Sequence, residues 1–194
     1  MSSQNEFLKS LIERLEEAEI DYMVSGSLGS SFYGEPRATN DIDMVIAPNQ
    51  RQLEVFIKSL GENYYVSPEA AWNALSNKSM FNIIDTKGGW KADLIIRKQR
   101  PFSRKEFTRR HFAEIMEIKL FVVSAEDAIL SKLEWCKETD SERQFRDAVG
   151  VATVQWPKLD KDYLHQWSQE LGVADLLAML INEVENLPEL PEPA

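Results

Sequence analysis

Histidine and cysteine are nearly missing from this chain: two histidines, His111 and His165, and one cysteine, Cys136, stand among 194 residues. A lone cysteine rules out an internal disulfide, and beside Trp135 it reads as a small buried hydrophobe. The two histidines have no spacing with Cys136 that would build a zinc site, and they assemble no Ser-His-Asp or Cys-His constellation. Long apolar runs are missing too. The longest nearly apolar stretch, Leu171 to Ile181, is short of a membrane span and carries Asp175. The opening MSSQNEFLKSLIERLEE holds acids and no continuous apolar stretch, so no signal peptide is expected and the expected compartment is the cytoplasm. Basic residues stop at Lys161, after which seven acids follow, and the net charge is −10. Such a chain makes a poor non-specific binder of duplex DNA or of an anionic membrane, because both demand phosphate neutralisation. It can still hold a nucleotide whose charge is met locally.

What is present is ordinary globular material, 43% hydrophobic and 28% charged. Phe7, Leu8, Leu11, Ile12 and Leu15 recur at helical spacing. Tyr22-Met23-Val24 reads as a short strand, 28–33 as a helix and 42–46 as an alternating strand. A helix over 50–60 and another opened by Pro68 follow. SMFNIID (79–85) and KADLII (91–96) read as a hairpin turning at Lys87-Gly88-Gly89, with extended segments at 112–117 and 119–123. From 125 the pattern is helical over 125–137, 143–155, 160–171 and 173–186. The expected organisation is an α+β core over 1–123, a helical region over 124–187 and a disordered tail over 188–194.

Chemistry concentrates in the first part. In a strand, residues two apart share a face, so Asp41 and Asp43 project together while Ile42, Met44 and Ile46 face the core. Paired carboxylates repel unless water screens them or a cation sits between them, and oxygen-only ligands suit Mg²⁺. An isolated Asp-x-Asp is more often an exposed acidic strand end. This one is accompanied. Ser25-Gly26-Ser27 lies at a strand-to-helix turn, where free N–H groups and the helix dipole favour an anion. Asp93 stands on the polar side of KADLII, and a carboxylate in a core strand calls for a cation or donor beside it.

VSGSLGSSFYGEPRATNDIDMVI resembles the signature of nucleotidyltransferases of the DNA polymerase β superfamily, in its minimal nucleotidyltransferase and AbiEii-like branch. There the linking segment reads Gly-x-x-Arg-x-Thr-x-Asp-ϕ-Asp, with ϕ apolar, and Gly34, Arg37, Thr39, Asp41 and Asp43 fill those positions. SAEDAILSKLEW with Lys132, and SERQFRDAV with Arg146 and Asp147, are similar to later motifs of the branch. Two departures stand out: Ser27 replaces a second glycine, and the gap from Lys132 to Asp147 is long.

The resemblance implies a small mixed β-sheet with flanking helices, followed by a C-terminal helical bundle. It implies Mg²⁺ held by Asp41, Asp43 and Asp93, with Asp93 also deprotonating a hydroxyl acceptor. Ser25, Gly26, Ser27, Arg37 and Lys132 would bind the triphosphate of an NTP, ATP foremost, with Thr39, Arg146 and Asp147 in support. Arg37 could instead pair with a neighbouring acid, and Arg146 and Asp147 could simply bridge two helices. The acceptor is left open between RNA, protein and small molecule, and the setting could be a toxin–antitoxin system. The alternative is a non-catalytic nucleotide-binding or toxin–antitoxin partner protein that retains the fold. Seven bases against one acid between Arg97 and Arg110 read either as a solvated face or as a guide for a phosphate-bearing acceptor such as an RNA end.

Overall fold

The computed structural model describes residues 3–34, 39, 41–115 and 117–186. Arg37 and the tail expected to be disordered lie outside these residues. The chain divides into two compact units, one of residues 1–32 and 36–124, the other of residues 33–35 and 125–194.

The first unit begins with α1 (Gln4–Glu17), which starts on a capping box: the Ser3 hydroxyl accepts from the Glu6 amide while the Glu6 carboxylate accepts from the Ser3 amide. Its apolar stripe, Phe7, Leu8, Leu11, Ile12 and Leu15, is buried as the periodicity predicts. Next come β1 (Tyr22–Val24), α2 (Gly26–Tyr33, its last residue in the second unit), β2 (Asp41–Ile46) and α3 (Gln50–Leu60). A 3-10 turn then leads to β3 (Tyr64–Val66) and α4 (Pro68–Asn77), whose first turn carries Pro68 after the Ser67 cap. The hairpin of β4 (Met80–Asp85) and β5 (Lys91–Ile96) turns where the Asp85 carboxylate accepts from the amides of Lys87 and Gly88, at 3.0 and 3.1 Å. Then follow α5 (Pro101–Arg109), β6 (His111–Ile115) and β7 (Ile118–Val122).

The seven strands form one mixed sheet in the order β3-β4-β5-β2-β1-β7-β6. The β2–β5 and β1–β7 pairs are parallel and the others antiparallel. Strand alternation gives the sheet two unlike faces. Ile42, Met44, Ile46, Ala92 and Leu94, with Phe81 and Ile83 from β4, are buried in the core together with Phe7 and Leu11 of α1 and Leu53 and Phe56 of α3. The opposite face carries Asp41, Asp43, Lys91, Asp93 and Asn82.

The second unit is helical: α6 (Ala125–Thr139), α7 (Glu142–Gln155), α8 (Lys161–Leu171) and α9 (Ala174–Glu185). Ile129, Leu130, Leu133, Ala148, Ala152, Leu164, Leu177 and Leu180 fill its interior. Gly172 ends α8 in the left-handed conformation, φ 65°, its amide donating back to Gln169 and Ser168. The mixed sheet, its helices and the helical C-terminal part match the fold class expected from the sequence.

Two elements had no counterpart in the sequence expectations. The strand β3 is three residues long, and α5 is dominated by charge, with an apolar stripe of little more than Phe102 and Phe107. Cys136 also departs from expectation: it is only partly covered and Trp135 beside it is half exposed, because both lie off the buried stripe of α6. No helix among the described residues is long and apolar enough to cross a membrane.

Candidate active site

The site grows from the junction of β1 and β2. The Ser25 amide donates to the Asp43 carbonyl at 2.9 Å, extending the antiparallel ladder by one residue and setting the start of α2 beside Asp43. Gly26 has φ +57°, and a Cβ placed on it would lie 1.9 Å from Asp43 Oδ2. A bare Cα is therefore a requirement here on two counts: the left-handed backbone and the approach of a carboxylate. Inside α2 the Ser30 hydroxyl donates to the Gly26 carbonyl at 2.9 Å, so it is tied to the helix. Ser25 and Ser27 stay partly exposed.

Asp41 is exposed and Asp43 half-buried on the same face of β2, as alternation predicts. Thr39 braces the strand's start: its hydroxyl donates to the Asp41 carbonyl at 3.1 Å, and its own carbonyl accepts from Gln4 Nε2 at 2.7 Å. Parallel pairing then sets Asp93 directly opposite Asp43 and Lys91 directly opposite Asp41. The three carboxylates thus share one face of two neighbouring strands.

Asp93 is 9% exposed, so its charge must be answered locally. Two side chains do so. Asn82, its partner across the β4–β5 ladder, donates through Nδ2 to Asp93 Oδ1. The Lys91 ammonium lies 3.0 Å from both Asp93 oxygens. The hydrogen bond to Asp93, aided by the charges of Asp93, Asp41 and Asp43, raises the Lys91 pKa against the smaller effect of burial. The sequence reading did not single out Asn82 or Lys91. Both were within its reach, since the alternation of SMFNIID and KADLII puts them on the polar side beside Asp93.

Among the described residues no three histidine, cysteine or carboxylate side chains are gathered closely enough to hold an ion between them. Asp41, Asp43 and Asp93 share a face without closing on one point, and Asp93 is turned to Asn82 and Lys91. The donor set still fits magnesium. Asp41 and Asp43 offer only oxygen, and the space over Gly26 that a Cβ would fill holds the Asp43 carboxylate beside the first turn of α2.

The later-motif candidates belong to the second unit. Lys132 is buried in the second unit, its Nζ 2.9 Å from Asp147 Oδ2, so the two later motifs meet as one ion pair joining α6 to α7. Arg146, next to it on α7, is exposed. Gly34 belongs to that unit as well: a Cβ there would meet the Gly150 backbone at 3.0 Å, so it lets two main chains approach.

Part of the basic run is engaged within its own unit. The Arg110 guanidinium lies 4.3 Å from the Phe107 ring centre and pairs with Asp21 at 2.8 Å, while Arg97 lies 5.2 Å from the same ring. Arg100 donates to the Ser103 hydroxyl at 2.9 Å. Lys98, Arg104 and Lys105 are the exposed cations of this run, and Arg104 donates to Gln99.

No family model matches the chain, and no curated protein matches it by sequence. Solved structures do match. The chain is similar to an antigenic nucleotidyltransferase-like protein from Paracoccidioides brasiliensis, with TM-score 0.62 and 20% identity over 91% of this chain and 87% of that one. It is similar to ANT(2″)-Ia in complex with adenylyl-2″-tobramycin, with TM-score 0.55 and 14% identity over 94% and 99%. It also resembles the lincomycin-bound lincosamide antibiotic adenylyltransferase LnuA, with TM-score 0.52 and 12% identity over 78% and 98%. At these identities the likeness establishes the fold, which is that of nucleotidyltransferase-like proteins.

Proposed function

We propose that this chain is a magnesium-dependent nucleotidyltransferase that moves the nucleoside monophosphate of ATP onto a hydroxyl of a small-molecule acceptor. The observation that carries the reading is the register of Asp43 against Asp93, with the Asp43 carboxylate seated over the bare Cα of Gly26. A fold alone hosts many activities, whereas this arrangement supplies the groups that the reaction needs.

Asp41 and Asp43 would hold the magnesium ion, which when bound neutralises phosphate charge and favours attack at the α-phosphorus. The turn Ser25-Gly26-Ser27 at the start of α2 would take the β- and γ-phosphates through N–H and hydroxyl donors. Asp93 takes the proton of the acceptor hydroxyl as that oxygen bonds to the α-phosphorus and the bond to pyrophosphate breaks. Asn82 keeps the Asp93 carboxylate in one orientation during this transfer. The pattern from Gly34 to Asp43 supports membership of the minimal, AbiEii-like branch. Two of the neighbours, one in complex with adenylyl-2″-tobramycin and the other a lincomycin-bound antibiotic adenylyltransferase, support ATP as donor and a small acceptor. So does the basic run, where Arg97, Arg100 and Arg110 are engaged within the unit. Lys132 enters this scheme through its hold on Asp147, whose carboxylate takes one of the three N–H donors of the ammonium.

The test is Asp43→Asn, assayed for transfer of label from α-labelled ATP to a panel of aminoglycosides, lincosamides and short RNAs. Loss of a metal-holding carboxylate should lower transfer at least a hundredfold. Melting in EDTA should be unchanged or raised, because a like-charge repulsion is relieved. Transfer at the parent rate would overturn the reading.

A further inference from the structure

Lys91 stands apart from the other cations of this unit. It faces Asp41 across the β2–β5 ladder and precedes Asp93 by two residues, so its ammonium stands on the face that carries three carboxylates. Its contacts go to both oxygens of Asp93, which is nearly buried, yet 39% of its own side chain remains exposed. A plain buried ion pair matches one charge to one charge. Here the pair shares its face with Asp41 and Asp43, so a cation drawn to those carboxylates would meet the ammonium.

The geometry points to Lys91 as a resident counter-ion: it neutralises Asp93 while the carboxylates lack a divalent cation, and yields that place when one binds. The inference rests on the metal-holding role proposed for Asp41 and Asp43. Three carboxylates on adjacent strands repel one another, and the Lys91 ammonium offsets part of that repulsion in the absence of a divalent cation. A divalent ion brings twice the charge and repels the ammonium. Lysine suits this exchange because its charge sits on a flexible stem, and the exposed portion lets the head move into water. An arginine would grip both carboxylate oxygens in a planar fork and give them up less readily. Lys91 is thus a positioning residue that acts through Asp93.

The experiment compares the full chain with Lys91→Met and Lys91→Arg, titrated with Mn²⁺ alone and followed by electron paramagnetic resonance, with melting measured in EDTA and in Mn²⁺. Lys91→Met should bind Mn²⁺ about tenfold more tightly, since a repelling charge is gone. Its melting temperature should fall in EDTA and recover in Mn²⁺, a larger metal-induced rise than the parent shows. Lys91→Arg should keep the parent's melting temperature in EDTA and bind Mn²⁺ more weakly, which keeps the test alive should the methionine variant not fold. If the parent binds Mn²⁺, the counter-ion role is overturned should both variants match its affinity and Lys91→Met melt equally low with and without metal. If neither the parent nor either variant binds Mn²⁺, the metal-holding reading of Asp41 and Asp43 falls, and the inference with it.

Discussion

Two lysine–aspartate pairs of almost equal length, Lys91–Asp93 at 3.0 Å and Lys132–Asp147 at 2.9 Å, sit in different surroundings. The first lies along one strand, on a face with two further carboxylates, and its lysine is partly in water. The second joins two helices inside the helical unit, with side-chain exposures of 7% and 14%. Length does not distinguish them, but neighbours and access do. A buried pair fixes packing, because either partner alone would be a poorly compensated charge. A half-exposed pair beside two further carboxylates is placed to exchange its cation. The likeness to a motif lysine in the sequence therefore says less about role than the company each lysine keeps.

The sharpest way to break the contrast is Lys132→Ala. Removing one partner of a buried pair should cost about 3–5 kcal/mol, which lowers melting by of order 10 °C for a chain of this size. Calorimetry of Lys132→Ala beside Lys132→Met/Asp147→Leu checks this, since replacing both partners with apolar groups should recover much of the loss. A fall in nucleotide affinity without a fall in melting would instead place Lys132 at phosphate.

Gly26→Ala probes the other pair's neighbourhood with a smaller cost. The left-handed φ of +57° should cost roughly 1–2 kcal/mol for alanine. The new methyl would also push the Asp43 carboxylate from its seat, so Mn²⁺ affinity should drop far more than stability does. Equal Mn²⁺ binding by parent and variant would show that the seat does not matter.

The weakest effect belongs to the exposed cations of α5. Arg104→Glu/Lys105→Glu should leave stability within about 0.5 kcal/mol and transfer to a small acceptor unchanged, and the parent should bind short RNA weakly even at low salt. Steeply salt-dependent RNA binding, lost on charge reversal, would return this segment to the acceptor path.

Much of this was legible in the residues. Period-two alternation placed Asp41, Asp43 and Asp93 on polar strand faces, and helical spacing marked α1, α3 and the four helices of the second unit. What the spacing could not supply was pairing. That β2 and β5 are neighbours, parallel and in register is a tertiary fact, and it alone sets Asp43 beside Asp93. Asn82 stayed unnoticed because its meaning comes from the strand across the hairpin. The arginines of 97–110 carry a second kind of information that spacing cannot supply. A guanidinium counts as surface charge in a sequence, yet its flat face packs on Phe107 and Phe121 as well as an apolar side chain would.

The parallel pairing of β2 with β5 bears on how the chain reaches this state. The hairpin of β4 and β5 joins residues close in the chain and can form early, whereas β2 must close a long loop over α3, β3 and α4 before it meets β5. Contacts of that span form slowly, since loop closure is paid in entropy ahead of any reward. Asp43 and Asp93 are thus strangers until late in folding. A nascent or partly unfolded chain displays helices and a hairpin, but no assembled carboxylate face with which to capture a cation or a nucleotide prematurely.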